Sequence, residues 1–472
     1  MKNWSKKSIA LLTIALFTVT AIIPTGAGSG TKIADNLLQY ASDTNQELDL
    51  LYGETKFNLT ALENISYPFN LSYVVPLNYK DQAPILFEVC EDTTTDLVTF
   101  LILNDTNSPN KIINFTIAPL TKGMVITIHF QYWVLVKNND YTDLPRYVKI
   151  PKEEELPENT KTWLASTKNI QADNILIRLK AKQVKGFTNN LIRLANKIVL
   201  TSTGLLHKRI MLIKMSNLRN ILYPLVREKI ESDWIPLQDA FSSLFIRGSC
   251  YAQTHLGVAL FRANNVPARS IIITPTIYGK DLFIEQHVIC EYYCPNYGWV
   301  PAETILMCTP PKDIVENIVV KVAHNIGYTN FSIPYESKGY VVLRINYPDD
   351  ENEAGNGISY YGGMEAYMKM YPREVERCLN LTSNYTGITH GWIEKELKTD
   401  QQNADHAFSL TRDVYELHTK YIGMTLTGEN KQHFDNAILA QKNAIDCFNQ
   451  SDINGYINNI NTAYTEYSQI SI

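Results

Sequence analysis

Cys250, His287 and Glu303 are the residues whose types and spacing predict chemistry in this 472-residue chain. His287 follows Cys250 by 37 residues, and Glu303 follows His287 by 16. A thiol becomes a nucleophile when an imidazole takes its proton, and a carboxylate that accepts the other ring N–H holds the imidazole in the required tautomer. The three residues are therefore candidates for the nucleophile, the base and the orienting acid of an acyl transfer.

The residues around Cys250 predict that its thiol lies in the first turn of a helix. Gly248 permits a tight turn, Ser249 can cap the helix, and the helix extends to about Ala263. Its predicted buried face consists of Ala252, Leu256, Ala259 and Leu260. The positive end of a helix lowers the pKa of a thiol there, and the backbone N–H can donate to a developing oxyanion. On this segment alone, a simply buried small cysteine is the alternative.

The residues around His287 predict a strand and a returning hairpin partner. In FIEQHVICEYY, alternation places His287, Ile289, Glu291 and Tyr293 on one face. A turn follows at CPNYG, and residues 299–304 form the returning strand. We expect Glu303 to come opposite His287 in this hairpin.

These motifs together resemble those of the transglutaminase-like superfamily. GSC at 248–250, an alanine-rich helix, RANNVPAR at 262–269, His287 and GWVPAET at 298–304 stand in the family's order. The resemblance covers roughly residues 165–310. It implies an α+β fold with a papain-like transglutaminase core. The acid is usually aspartate, so Glu303 departs from the pattern by one methylene.

The resemblance also implies a reaction. Cys250 attacks an amide carbonyl, His287 protonates the departing amine, and water or another amine resolves the thioester. The family includes cross-linking transglutaminases, amidases and cysteine peptidases. No cofactor and no metal is expected.

Several polar and aromatic residues near the motifs are predicted to be structural. Arg269 is expected to hold a local carboxylate or carbonyl. The others are expected to cap a helix, to lie in the core or to pack behind the histidine strand, and they are Gln238, Asp239, Gln253, His255, Arg262 and Trp299.

The chain has seven cysteines, an odd number that leaves at least one thiol outside any intrachain disulfide. Cys308 could pair with Cys290 or Cys294, and Cys378 could pair with Cys447. Cys290 and Cys294 lie about 13 Å apart along a straight strand, too far for a direct bond. A zinc site on the clustered cysteines is disfavoured because no nearby histidine or second CxxC completes it.

Outside the motif region, the sequence predicts several further parts. Residues 1–27 resemble a signal peptide, and residues 28–52 show helical spacing. Residues 53–150 contain short β-branched and aromatic runs that predict an all-β sandwich domain, in which His129 is expected to be structural. A catalytic domain is predicted at 165–345 and a helical C-terminal domain at 360–472, with its clearest helices at 364–378, 405–421 and 434–447.

The signal layout predicts a secreted or cell-surface protein. Cleavage is expected near Ala27, and an uncleaved N-terminal anchor is the alternative. Loss of three lysines with residues 1–27 changes the net charge from -5 to -8, which argues against a nucleic-acid partner. No membrane span is predicted in the mature chain.

Two functions are compatible with these features. The first is an exported thiol enzyme that acts on peptide, protein or cell-envelope amides, with hydrolysis favoured over cross-linking because water is abundant. The second is a catalytically silent surface scaffold or adhesion protein that keeps the fold without turnover.

Overall fold

The computed structural model describes residues 45–61, 64–104, 110–137, 141, 143–202, 239–245, 250–276, 287–304, 309–310, 339–345, 381–382 and 388–471. The chain divides into two units, Met1–Thr44 and Asn45–Ile472, and all described residues belong to the second. The predicted signal peptide, the first part of the predicted N-terminal helical segment and the predicted helix at 364–378 lie outside the described residues.

The described strands number twelve. They are β1 (Asn45–Ala61), β2 (Phe69–Val75), β3 (Gln82–Val89), β4 (Val98–Asn104), β5 (Lys111–Ile117), β6 (Val125–Lys137), β7 (Ala268–Thr276), β8 (His287–Cys294), β9 (Gly298–Ala302), β10 (Gly339–Ile345), β11 (Leu381–Thr382) and β12 (Ile388–Asp400). The longer helices are α1 (Ile175–Lys185), α2 (Leu191–Thr201), α3 (Ala240–Phe245), α4 (Cys250–Arg262), α5 (Gln401–Tyr421), α6 (Gly428–Asn449) and α7 (Ile453–Ser468). Short helical turns occupy Glu153–Glu155, Glu158–Lys161 and Thr162–Leu164.

Two antiparallel sheets share one apolar core in the N-terminal part. The first contains β12, β1, β6 and β3 in that order, with β11 paired to the end of β1, and the second contains β2, β5 and β4. Tyr73 of β2 meets the ring of Phe130 of β6 edge to face, with centroids 4.8 Å apart, and Phe115 of β5 stacks on the same ring with centroids 6.2 Å apart. Aromatic and branched side chains from both sheets therefore pack face to face.

The prediction of helix for residues 45–52 is wrong, because β1 runs through them. β1 lies inside the sheet, where β12 and β6 cover its two edges, and a different apolar core covers each of its faces. Leu48 and Leu50 face the core formed with the C-terminal helices, whereas Leu51 belongs to the core between the two sheets. A strand buried on both faces lacks polar alternation, and its leucines therefore resemble those of a helix.

The C-terminal part returns to the N-terminal sheet before it becomes helical. β12 pairs with β1 from Asn45 opposite Asp400 to Lys56 opposite Ile388. Asp400 then caps α5 by accepting the amide N–H of Asn403 at 2.9 Å. The predicted helices at 405–421 and 434–447 are confirmed as parts of α5 and α6.

A third sheet carries the motif region. It is antiparallel, with the order β10, β7, β8 and β9. α4 lies against this sheet and shares a core with α1, α2 and α3, in which Phe261 of α4 stacks on Tyr292 of β8 at 5.0 Å. The mixed α/β architecture with a helical C-terminus agrees with the predicted fold class.

Candidate active site

The described part of the cysteine-motif helix runs from Cys250 to Arg262, so Cys250 lies in a helix as the sequence predicts. From Ala252 to Phe261 every residue of α4 is buried, so the helix is enclosed on all sides. Gln253 and His255 are among these buried residues, as expected for core contacts. The side chains of Cys250 and Tyr251 lie outside the described part of the structure.

Thr254, one turn after Cys250, joins the three motif segments. Its hydroxyl donates to the carbonyl oxygen of Val288 at 3.0 Å, and Val288 is the residue that follows His287. The same hydroxyl lies 3.4 Å from the hydroxyl of Thr304, which follows Glu303. Both threonines are fully buried. The chain positions next to the predicted base and the predicted acid therefore meet one side chain of the cysteine helix.

Gly257 allows this close approach of helix and sheet. A Cβ atom at this position would lie 2.6 Å from the Thr304 Cγ2 and 3.7 Å from the Cys290 Sγ. Real side chains do not come so close, so only glycine fits here without a shift of the helix or the strand. The missing side chain of Gly257 thus lets the middle of α4 pack directly against the residues that follow β9.

The predicted hairpin of β8 and β9 is confirmed. Asn296 and Gly298 take positive φ values of 63° and 101° in the predicted turn, which suits these residue types. Its register places Cys290 opposite Ala302. Continued by one pair, this register sets Glu303 against Ile289 and not against His287, two residues from the expected place. Glu303 therefore has a register position diagonal to that of His287.

Glu303 is fully buried directly after the end of β9. Burial, followed by the negative charges of Glu303 and Glu291, raises the pKa of the Cys290 thiol well above its usual range. The Cys290 Sγ donates to the carbonyl oxygen of Ala302 at 3.1 Å. Cys290 is therefore a protonated core cysteine and no rival to Cys250 as nucleophile.

Arg269 of β7 forms a buried ion pair with Glu291 of β8. Its Nε donates to the Glu291 carboxylate at 3.0 Å, and its terminal nitrogen donates to the Tyr79 hydroxyl at 2.6 Å. The guanidinium lies 3.9 Å above the Trp299 ring and 5.0 Å from the Trp163 ring. The prediction that Arg269 holds a local carboxylate is confirmed.

The charges in this cluster satisfy each other. Burial lowers the pKa of Arg269, but the adjacent Tyr79 and Glu291 outweigh that effect and the pKa is raised. Burial and the Glu291 charge raise the pKa of Tyr79 well above its usual range, so its hydroxyl stays neutral and donates to Glu291. The cluster is a structural support of the sheet that carries the motif.

Arg262 also has the structural role that the sequence predicts. Its Nε donates to the carbonyl oxygen of Ala268 at 2.9 Å, and its NH1 group donates to that of Ala165 at 2.7 Å. The first bond joins the end of α4 to the start of β7, and the second joins it to the residue after the short turn Thr162–Leu164. Asp239 directly precedes α3, where its carbonyl oxygen accepts the amide of Ser243, and Gln238 lies outside the described residues.

The disulfides considered for the described cysteines do not form. Cys90, Cys290, Cys294 and Cys447 carry free thiols. Burial raises the pKa of Cys294 to about 11, which makes this thiol unreactive. Cys308 and Cys378 lie outside the described residues.

The structure thus places the backbone positions of the three predicted residues. Cys250 opens α4, His287 opens β8, and Glu303 follows β9. The His287 side chain lies outside the described part, so the distances within the trio stay predictions. Thr254, Gly257 and Thr304 were missed from the sequence, although Thr254 and Cys250 are spaced as neighbours on one helix face.

Comparison with known proteins agrees with the motifs. Residues 222–304 match the model of the transglutaminase-like superfamily, which confirms the resemblance. A crystal structure of a candidate cysteine protease from Cytophaga hutchinsonii is similar with a TM-score of 0.41 and 13% sequence identity, and the match covers 76% of this chain and 93% of that one. A search of curated proteins found no match.

Proposed function

We propose that this chain, with its transglutaminase-like segment at residues 222–304, is an exported thiol enzyme that hydrolyses peptide or isopeptide amides through a thioester. The substrate would be a peptide, a protein or a cell-envelope component. The observation that carries the proposal is the Thr254 hydroxyl, which contacts Val288 and Thr304 one turn after Cys250. This contact supports the proposal because it brings the segments that carry the proposed base and acid next to the first turns of α4.

The proposed reaction assigns one task to each residue. The Cys250 thiolate attacks the amide carbonyl carbon, and the oxyanion forms beside the first backbone N–H groups of α4. When the intermediate collapses, the C–N bond breaks and the amine leaves with a proton from His287. Water then attacks the thioester, His287 takes a proton from that water, and the thiol leaves as the carboxylic acid forms.

Glu303 is proposed to orient His287 from its diagonal position in the hairpin. Diagonal residues in an antiparallel pair are separated by about 7–8 Å, a distance that long side chains can bridge. Glutamate extends one methylene further than the family's usual aspartate. Its fully buried position protects the charge from water, which strengthens any bond to an imidazolium.

The wider organisation belongs to the same proposal. Residues 53–150 are proposed to form a β-sandwich and residues 165–345 the catalytic domain. The helical part predicted at 360–472 is wrong for its strands β11 and β12, which pair with β1, and its described helices are α5, α6 and α7. Residues 1–27 are proposed to direct export to the cell surface or beyond. In the described ranges, no helix combines the length and the apolar character that a bilayer crossing requires.

The thiol chemistry can be tested by labelling. The protein is treated with limiting iodoacetamide, and the modification rate of each cysteine is measured by mass spectrometry of its peptides. Cys250 should react at least tenfold faster than Cys447, a partly exposed thiol that serves as the internal reference. His287→Ala should reduce the Cys250 rate towards that of Cys447, because the thiolate then loses its base.

Amide cleavage is measured in parallel. The protein is incubated with a peptide library and with cell-wall material, and released amines and carboxylates are quantified for the wild type, Cys250→Ala and Cys447→Ala. The proposal requires activity that only Cys250→Ala abolishes. A Cys250 that reacts no faster than Cys447, together with unchanged cleavage in Cys250→Ala, would leave the silent scaffold as the function.

A further inference from the structure

A second group of side chains with metal-binding chemistry lies at the end of β3, in the N-terminal part. Cys90 follows β3 and begins a turn in which Asp92 is exposed. The Cys90 amide donates to the carbonyl oxygen of His129 on β6 at 2.8 Å. Thr93 closes this turn onto the same residue, since its hydroxyl bonds to both the amide and the carbonyl of His129 at 3.0 Å. The backbone therefore fixes the turn beside the histidine.

The side chains converge on the His129 ring. One ligand atom from each of Cys90, Asp92 and His129 lies within 4.8 Å of the others. The His129 Nδ1 is 2.6 Å from the Asp92 Oδ1, and the Nε2 is 2.7 Å from the Glu54 Oε1 on the neighbouring strand β1. In metal sites, a histidine that binds the metal through one ring nitrogen usually has its other ring nitrogen hydrogen-bonded to a carboxylate, which orients the ring. Here Nε2 has such a carboxylate in Glu54, and Nδ1 would bind the metal.

We propose that Cys90, Asp92 and His129 bind a divalent transition-metal ion, foremost Zn²⁺, with Glu54 orienting the histidine from the second coordination sphere. A thiolate, an imidazole and a carboxylate together favour Zn²⁺ over Ca²⁺ or Mg²⁺, which prefer oxygen ligands. Three protein ligands leave a fourth position for water.

The geometry needs only a small adjustment to hold the ion. Zinc bonds of about 2.0 Å to nitrogen or oxygen and about 2.3 Å to sulfur place tetrahedral ligands about 3.3–3.5 Å apart. The metal would replace the proton between the His129 Nδ1 and the Asp92 Oδ1, so these two atoms would separate by about 0.7 Å. The Asp92 side chain is 44% exposed and can make this movement.

The exposure and the charges of the proposed site also suit the binding of a metal ion from solvent. The His129 side chain is only 14% exposed, so the site has an inner wall, while Asp92 opens it to solvent. Lys56 contacts the other carboxylate oxygen of Asp92 and leaves Oδ1 for the metal. The ion would connect the turn after β3 to β6, and it would stabilise the folded state because an unfolded chain does not hold the ligands together.

Cobalt(II) is the most direct probe, because cobalt bound to a thiolate absorbs in the near ultraviolet. The full chain is titrated under a phosphine reductant in the Cys250→Ala background, which separates this test from the proposed enzyme activity. We expect one cobalt per chain, a thiolate-to-cobalt absorption band and displacement of cobalt by zinc. Cys90→Ser should abolish the band, whereas Cys447→Ser should keep it.

Further variants separate ligands from neighbours. Glu54→Gln should weaken zinc binding by about 10- to 100-fold, as expected for a residue that orients a ligand. Asp92→Asn and His129→Gln should each weaken it more, and circular dichroism of the metal-free variants checks that they fold. At zinc concentrations 100 times the dissociation constant, the unfolding constant should fall about 100-fold. Absence of binding, or binding unchanged in both Cys90→Ser and His129→Gln, would overturn the proposal and leave an ion-pair network only.

Discussion

Replacement of Thr254 by valine isolates the contact that joins the cysteine helix to the other two motif segments. Valine has nearly the same shape as threonine and fits the same buried space, but it cannot donate to the Val288 carbonyl. Because the change leaves the buried Val288 carbonyl oxygen without this donor, it costs about 1–3 kcal/mol of folding stability. Since the free energy of unfolding of native proteins is about 5–15 kcal/mol, the Thr254→Val variant should remain folded.

The effect on the site should exceed the effect on stability. Val288 follows His287 directly, so a shift of its carbonyl moves the backbone of the predicted base. Displacements of about 1 Å can reduce a catalysed rate by up to about 100-fold. We expect the rate of Cys250 modification by iodoacetamide, and any amide cleavage, to fall about tenfold in Thr254→Val and to recover largely in Thr254→Ser, which keeps the donor.

Thr411→Val is the matched control. Thr411 is also a fully buried helical threonine, and its hydroxyl bonds to the Ala407 carbonyl oxygen and the Tyr456 hydroxyl, both at 2.6 Å. Thr411→Val should reduce the free energy of unfolding, measured by urea denaturation, at least as much as Thr254→Val does. It should change the rate of Cys250 modification by iodoacetamide less than twofold. Equal rate losses in the two variants, or an unchanged rate in Thr254→Val, would refute the positioning role of Thr254.

Three further changes test the supports of the site and of the C-terminal helices. Gly257→Ala should reduce the free energy of unfolding by about 1–3 kcal/mol, because the new Cβ would meet the Thr304 Cγ2 at 2.6 Å. Thr304→Ser in the same chain removes this methyl group and should recover most of the lost melting temperature. A double variant without recovery would contradict the contact. Arg269→Met leaves Glu291 buried without its cation and should reduce the free energy of unfolding, measured by urea denaturation, by about 3–5 kcal/mol. The double variant Arg269→Met and Glu291→Met should lose less stability than the single variant. Additive losses would argue against the ion pair. Burial lowers the pKa of His418 to about 4 from 6.5, so the unfolded chain binds the proton first on acidification, and about 3 kcal/mol of stability should be lost between pH 6.5 and pH 4. A His418→Gln variant with the same pH dependence of unfolding would refute this assignment.

The sequence alone was sufficient for features that depend on neighbouring residues. The helix that contains Cys250, the turn that contains Asn296 and Gly298, and the helices α5 and α6 all follow from local turn chemistry and periodicity. The motif spacing also indicated the resemblance to the transglutaminase-like superfamily, whose model matches residues 222–304. The partner of Arg269 could be expected because a guanidinium in a core requires an acid or a carbonyl.

Only the tertiary structure decided features that depend on residues far apart in the chain. β1 is a strand because β12, more than 300 residues later, covers one of its edges and β6 covers the other, which overrides the helical spacing of its leucines. The hairpin register moved Glu303 two residues from its expected place, since the geometry of the turn sets the pairing. Cys90 and His129 showed no recognisable metal spacing in the sequence, yet the pairing of β3 with β6 brings them together. Short-range patterns record which side chains a segment buries, but the identity of the surface that buries them is a property of the whole fold.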